Sequence, residues 1–264
     1  MHSFLVAGGH RLETLQIHPE RSDRPWLVFL HEGLGSIALW RDFPQALCDA
    51  ANCRGLVYSR YGYGRSEPLA APRTVDFMHV EATEVLPEIL EQLGIRNPIL
   101  FGHSDGGSIA LIHAAACPER VAGAVLLAPH ILVEDVSIAS SAAAREAYGS
   151  NGLRDKLARY HDDPDSAFRG WNDIWLDPAF RSWNIEPLLA RIRCPLLAIQ
   201  GGKDEYGTMR QIDGIAANAR QTSVSLRKLA DCGHAPHRDQ PQAVIDATTG
   251  FIGQLQRHNN EIHL

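Results

Sequence analysis

No stretch of this 264-residue chain reaches the ~18 consecutive apolar residues of a membrane-spanning helix. The start, Met1-His2-Ser3-Phe4-Leu5, has no charged n-region, no long apolar core and no cleavage site, so neither a membrane anchor nor a leader is expected. A cytoplasmic enzyme is the default reading. Charge blocks are missing too: 31 acidic and 25 basic residues, net −6, are scattered without runs. With no basic stripe for nucleic acid and no polybasic cluster for a membrane surface, the expected partner is a small molecule, leaving room for a homodimer. The five cysteines, Cys48, Cys53, Cys117, Cys194 and Cys232, are odd in number and contain no C-x-x-C pair, which suits reduced core residues rather than a disulfide framework. His234-Ala235-Pro236-His237 has two histidines but no third ligand nearby, so no metal or other cofactor is expected. Internal repeats and low-complexity linkers are also absent.

What is present is alternation. Phe4–Ala7 and Arg11–Ile17 flank Gly8-Gly9 like a hairpin. Apolar runs follow at Trp26–Leu30, Gly55–Ser59, Pro98–Phe101, Gly123–Ala128, Cys194–Ile199 and Ser223–Leu229. Between them lie helical patterns at about Leu39–Ala51, Thr74–Leu93 (with Pro87 expected to kink or split it), Ile109–Ala116, Met209–Ala219 and Gln242–Gln256. Such alternation predicts an α/β fold: a mostly parallel eight-stranded sheet flanked by helices, with ligands beyond the carboxyl ends of the strands. From Ile131 to Arg193 the rhythm changes to alanine-rich helical stretches with many aromatics. Residues 131–193 therefore read as a helical insertion after the sixth strand, and 1–130 with 194–264 as the core.

Residues with chemistry sit where strands end. Gly102-His103-Ser104-Asp105-Gly106 joins an apolar run to a helix. A serine flanked at two residues by glycines fits a reversal so sharp that larger side chains would collide, which leaves Ser104 projecting as a nucleophile. An ordinary N-cap serine is the plain alternative. A serine hydroxyl needs a base and an orienting acid. Downstream stand Asp204, with Glu205 as its competitor, and His234, with His237 as its competitor. The loop Arg60–Ser66, with Gly62-Tyr63-Gly64, reads as a tight turn rather than a phosphate loop.

Four motifs in order resemble those of the α/β-hydrolase fold family, along nearly the whole chain. They are His31-Glu32-Gly33-Leu34-Gly35, Gly102–Gly106, Gly202-Lys203-Asp204 and Gly233-His234. The resemblance implies a catalytic triad of Ser104, Asp204 and His234. It further implies an oxyanion hole built from the N–H of Asp105 with that of Gly33 or Leu34, and a helical cap at 131–193. Glu32 stands where many relatives carry glycine; it either orients substrate or pins the first loop. His130, at a strand end, and the aromatics Tyr148, Trp171 and Trp175 are the candidates for contact with substrate. The implied activity is hydrolysis of a small ester, lactone or similar carbonyl compound through an acyl-enzyme. The alternatives are C–C bond hydrolysis of a vinylogous diketone and a ligand-binding receptor without turnover.

Overall fold

The computed structural model describes residues 1–150 and 152–262. Eight strands form one sheet: β1 (His2–Ala7), β2 (His10–Ile17), β3 (Trp26–Leu30), β4 (Arg54–Tyr58), β5 (Ile99–His103), β6 (Gly123–Leu127), β7 (Leu196–Gly201) and β8 (Val224–Leu229). Their order across the sheet is β1-β2-β4-β3-β5-β6-β7-β8. The hairpin β1–β2 and the β2–β4 pairing are antiparallel, and every later pairing is parallel.

Side chains alternate across a strand, so a sheet covered on both faces needs apolar residues at consecutive positions. In β3, Trp26, Val28 and Leu30 enter one apolar layer while Leu27 and Phe29 enter the other. β5, β6 and β7 divide in the same way, and all four strands are buried from end to end. The parallel register brings their carboxyl ends to one edge, with Leu30 opposite Gly102 and His103 opposite Leu127. First residues beyond that edge are His31, Ser104, Ala128 and Gly202.

Two helices differ from the sequence reading. The one expected over Leu39–Ala51 is two, Ile37–Trp40 and Phe43–Ala50, broken at Arg41. Arg41 leaves the helical region at φ 54°, and Pro44, which has no N–H to donate to Trp40, sits in the first turn of the second helix, where that donor is not needed. The stretch Thr74–Leu93 is helical only from Phe77 to Gln92, and it neither stops nor splits before Pro87. It widens into a π-turn over Glu81–Val85, which accommodates the missing proline donor. Between β6 and β7 lie the helices Asp135–Ser150, Leu153–Leu157 and Pro164–Trp175, a 3₁₀ turn at Pro178–Ser182, and the short helix Glu186–Leu189. A single bridge, Leu132 to Asn184, ties the two ends of this excursion together. The last helix, Pro241–Ile262, closes the fold. Among the described residues, no helix is long and apolar enough to cross a membrane.

Candidate active site

The elbow after β5 is built by close backbone approach. A β-carbon on Gly102 would lie 2.3 Å from the Gly106 carbonyl oxygen, and one on Gly106 would lie 2.0 Å from that of Leu30. Neither backbone group can yield, so both positions admit only glycine. The turn holds Ser104 at φ 53°, ψ −119°, a region that side chains rarely enter and that costs about 1–3 kcal/mol. The Ser104 N–H donates to the Leu127 carbonyl at 2.9 Å, anchoring the elbow to β6.

His234 reaches this serine from the loop after β8. Its Nε2 lies 2.9 Å from Ser104 Oγ and its Nδ1 2.8 Å from Asp204 Oδ1. The chain is consistent when Nδ1–H donates to the carboxylate and Nε2 accepts the serine proton. Asp204 Oδ1 also accepts the N–H groups of Tyr206 (2.8 Å) and Gly207 (3.1 Å), and Oδ2 accepts Gln200 Nε2 at 2.7 Å. Burial alone would raise the Asp204 carboxyl, but the His234 bond and the backbone donors outweigh it and hold it below the usual carboxylate range.

The competitors lie elsewhere. Glu205 accepts the backbone N–H of His234 at 3.2 Å and not its ring. His237 is buried against Trp40, with ring centroids 4.7 Å apart. Glu32 lies 3.4 Å from His103 Nδ1 and 3.2 Å from Arg238 Nη2. It thus joins the first loop to the end of β5 and to the helix Pro236–Asp239. Burial would raise this carboxyl as well, yet His103 and the neighbouring cations hold it well below its ordinary range.

Gly33 and Leu34 flank the same space as Ser104. The N–H groups of Gly33, Leu34 and Asp105 donate to no other group among the described residues. Trp171 packs over Gly33, where a β-carbon would fall 2.1 Å from the indole. The Asp105 side chain turns inward: Oδ1 accepts Trp175 Nε1 at 3.2 Å, Oδ2 lies 4.0 Å from Arg60, and burial raises its carboxyl.

A cavity of about 590 Å³ opens on Ser104 and His234, with His130, Trp171, Trp175 and Tyr206 in its wall. The His130 ring stands 5.7 Å from that of His234. Burial first, and the nearby His234 second, push its imidazole down to about 3, so it is neutral at physiological pH. Tyr148 was expected with these residues but does not line the cavity. Its ring stacks on Phe168 at 3.8 Å and its hydroxyl donates to Asp165, so both its apolar face and its polar tip are engaged by the helix Pro164–Trp175.

Sequence reasoning passed over Arg60. Its buried guanidinium donates to the carbonyls of Glu32 (2.9 Å) and His31 (3.2 Å), and the Arg60 backbone N–H donates to His31 Nε2 at 3.0 Å. It thereby ties the first loop to the residue after the serine. The available signal was position, because Arg60 lies two residues beyond β4, at the edge where the other site residues lie.

The profile of the alpha/beta hydrolase family matches residues 27–247, and the chain belongs to that family. Over 122 residues it is 30% identical to the human (lyso)-N-acylphosphatidylethanolamine lipase, covering 46% of this chain but 34% of that protein. The chain thus spans about a third of the length of that relative. It is 26% identical over 90% of its length, and 92% of the other's, to the 2-succinyl-6-hydroxy-2,4-cyclohexadiene-1-carboxylate synthase of Yersinia pseudotuberculosis serotype O:1b (strain IP 31758). The crystal structure of the enol-lactonase from Burkholderia xenovorans LB400 superposes with a TM-score of 0.74 at 19% identity, covering 95% of this chain and all of that one. At that identity the likeness speaks for the fold alone.

Proposed function

We propose that the protein is a serine hydrolase of small carbonyl compounds, esters or lactones, with Ser104 as nucleophile, His234 as base and Asp204 as orienting acid. The observation that carries this reading is the unbroken chain from Ser104 Oγ to His234 to Asp204, at 2.9 and 2.8 Å, on a strained elbow. His234 Nε2 takes the serine proton as Oγ attacks the carbonyl. The imidazolium that forms is stabilised by Asp204, whose carboxyl is held ionised. Unpartnered N–H groups of Asp105 and of Gly33 or Leu34 receive the oxyanion, and their fixed orientation is what makes such donors effective. His234 then protonates the leaving group, and water repeats the sequence to release the acid. Residues 131–193 act as a cap that closes the cavity over this chemistry, with Trp171 and Trp175 in its wall.

The test is turnover of p-nitrophenyl butyrate by wild type and Ser104→Ala. Loss on the order of 10⁴-fold, with an unchanged melting temperature, is the expected result; retained activity removes Ser104 from the role. A second reading, C–C bond cleavage, would use the same triad, and a relative matched over nearly its whole length is named a synthase rather than an ester hydrolase. Turnover of a dienoate diketone but of no ester would favour it. Failure of a fluorophosphonate to label Ser104 would instead favour a receptor that binds without turnover.

A further inference from the structure

The wall of the cavity divides by charge. Three carboxylates line it, Glu32, Glu205 and Asp239, and each is already committed to the protein. Glu32 pairs with Arg238 and His103, Glu205 accepts the His234 N–H, and Asp239 accepts the Gly233 N–H at 2.7 Å. The cations Arg41, Lys156 and Arg159 line the same cavity, and none lies within 4 Å of a carboxylate among the described residues. In a chain of net charge −6, unpaired cations gathered at one cavity run against the overall balance.

Two further features place them there. Leu153, Lys156, Leu157 and Tyr160 all line the cavity. Within the helix Leu153–Leu157 the spacing of three and four puts Leu153, Lys156 and Leu157 on one face, and Tyr160 follows in the turn beyond it, so Lys156 is carried toward the space by the same turn that supplies its apolar wall. Arg41 has φ 54°, ψ −133°, nearly the backbone conformation of Ser104 at φ 53°, ψ −119°. Apart from glycine, residues enter that region only when their surroundings hold them in it. Two such residues, the candidate nucleophile and an unpaired arginine, border this cavity, and Arg41 also borders a hollow beside Ile37 and Pro44.

We propose that this cavity takes an acyl compound bearing an anionic group, a carboxylate or a phosphate, held by Arg41, Lys156 and Arg159 while its carbonyl lies at Ser104. The acyl part rests on the hydrolase reading above; the anion site does not. Leu34, Leu157, Trp171 and Trp175 in the same wall supply apolar surface for the carbon chain of such a compound.

Binding is measured by calorimetry on Ser104→Ala with two probes of matched length, mono-p-nitrophenyl adipate and p-nitrophenyl hexanoate. The half-ester is expected to bind about tenfold more tightly, since several exposed charges acting together supply that much. Raising salt from about 0.05 to about 0.5 M shrinks the ratio by screening. In the triple variant Arg41→Gln, Lys156→Gln, Arg159→Gln the ratio falls to about one, whereas Arg41→Lys with Arg159→Lys retains a preference. All three side chains are exposed, and circular dichroism confirms the variants' fold. Competition by hexanoate against hexyl phosphate tells carboxylate from phosphate. Equal binding of the two probes, or a preference that survives the triple variant, overturns the anion site. If wild type discriminates between the probes but turns over neither, the hydrolase reading fails and the anion site stands.

Discussion

The helix that follows Ser104 and the first helix between β6 and β7 are built to opposite rules. In Asp105–Ala116, eleven of twelve residues are buried; in Asp135–Ser150, of sixteen, only Ser137 and Ser141 are. The elbow helix packs against β3, β5 and β6 at once, so its position is dictated from several sides and the serine at its start inherits that precision. The helix Asp135–Ser150 is held mainly along one side, against Leu153–Leu157 and Pro164–Trp175. A group that must meet its partners within a few tenths of an ångström is carried by the first kind of element. On the second kind a side chain has few neighbours to disturb when it is substituted.

Substituting glycines tests that contrast most sharply. Gly106→Ala drives a β-carbon to 2.0 Å from the Leu30 carbonyl oxygen. It is expected to lower stability by about 3 kcal/mol and to remove activity by displacing the elbow. Denaturant midpoints and ester turnover check this, and a wild-type midpoint would show that the elbow is looser than described.

Acid sensitivity probes the junction between the two regions. His130 is buried and neutral, with its imidazole at about 3 against an ordinary 6.5. Between those values the unfolded chain binds a proton that the folded chain does not, so stability rises with pH and is lost as pH falls from about 6.5 toward about 3. One such group contributes a slope of about 1.4 kcal/mol per pH unit. His31 and His237 are also pushed down by burial and add to it. His130→Gln should reduce the slope by one proton's worth in melts across that range; an unaltered slope would mean that His130 already carries its proton in the fold.

Smallest is the mirror image of the first. Gly149 sits in the helix Asp135–Ser150 with nothing within 4 Å of an added β-carbon. Gly149→Ala should stabilise by about 0.5 kcal/mol, through helix propensity and a less free unfolded chain. A loss comparable to that of Gly106→Ala would erase the distinction between the two helices.

The sheet was legible because its signal is local: consecutive apolar residues mark a strand covered on both faces, and all eight strands lie within a few residues of their expected places. That the candidate residues Ser104, Asp204 and His234 would come together was legible for a related reason, since each follows a strand whose end the pattern had located. Helix breaks were less so. Pro87 suggested a kink, but the π-turn at Glu81–Val85 depends on neighbours as well as on the proline. Tyr148 was misplaced because an aromatic-rich segment says only that rings will be buried, not which of them faces a cavity and which stacks on Phe168.

By itself the sequence determined the order of strands and helices, the glycines that permit the elbow, and the serine, acid and histidine in their order along the chain. These follow from side-chain volume, backbone freedom and periodicity, which act between residues near one another in the chain. Tertiary structure alone decided that Arg60 ties the first loop to Asp105 and that Trp175 donates to that same carboxylate. It alone also gathered Arg41 and Lys156, 115 positions apart in the sequence, around one cavity. Such juxtapositions arise from packing between distant segments, and no local pattern records which distant side chains will meet.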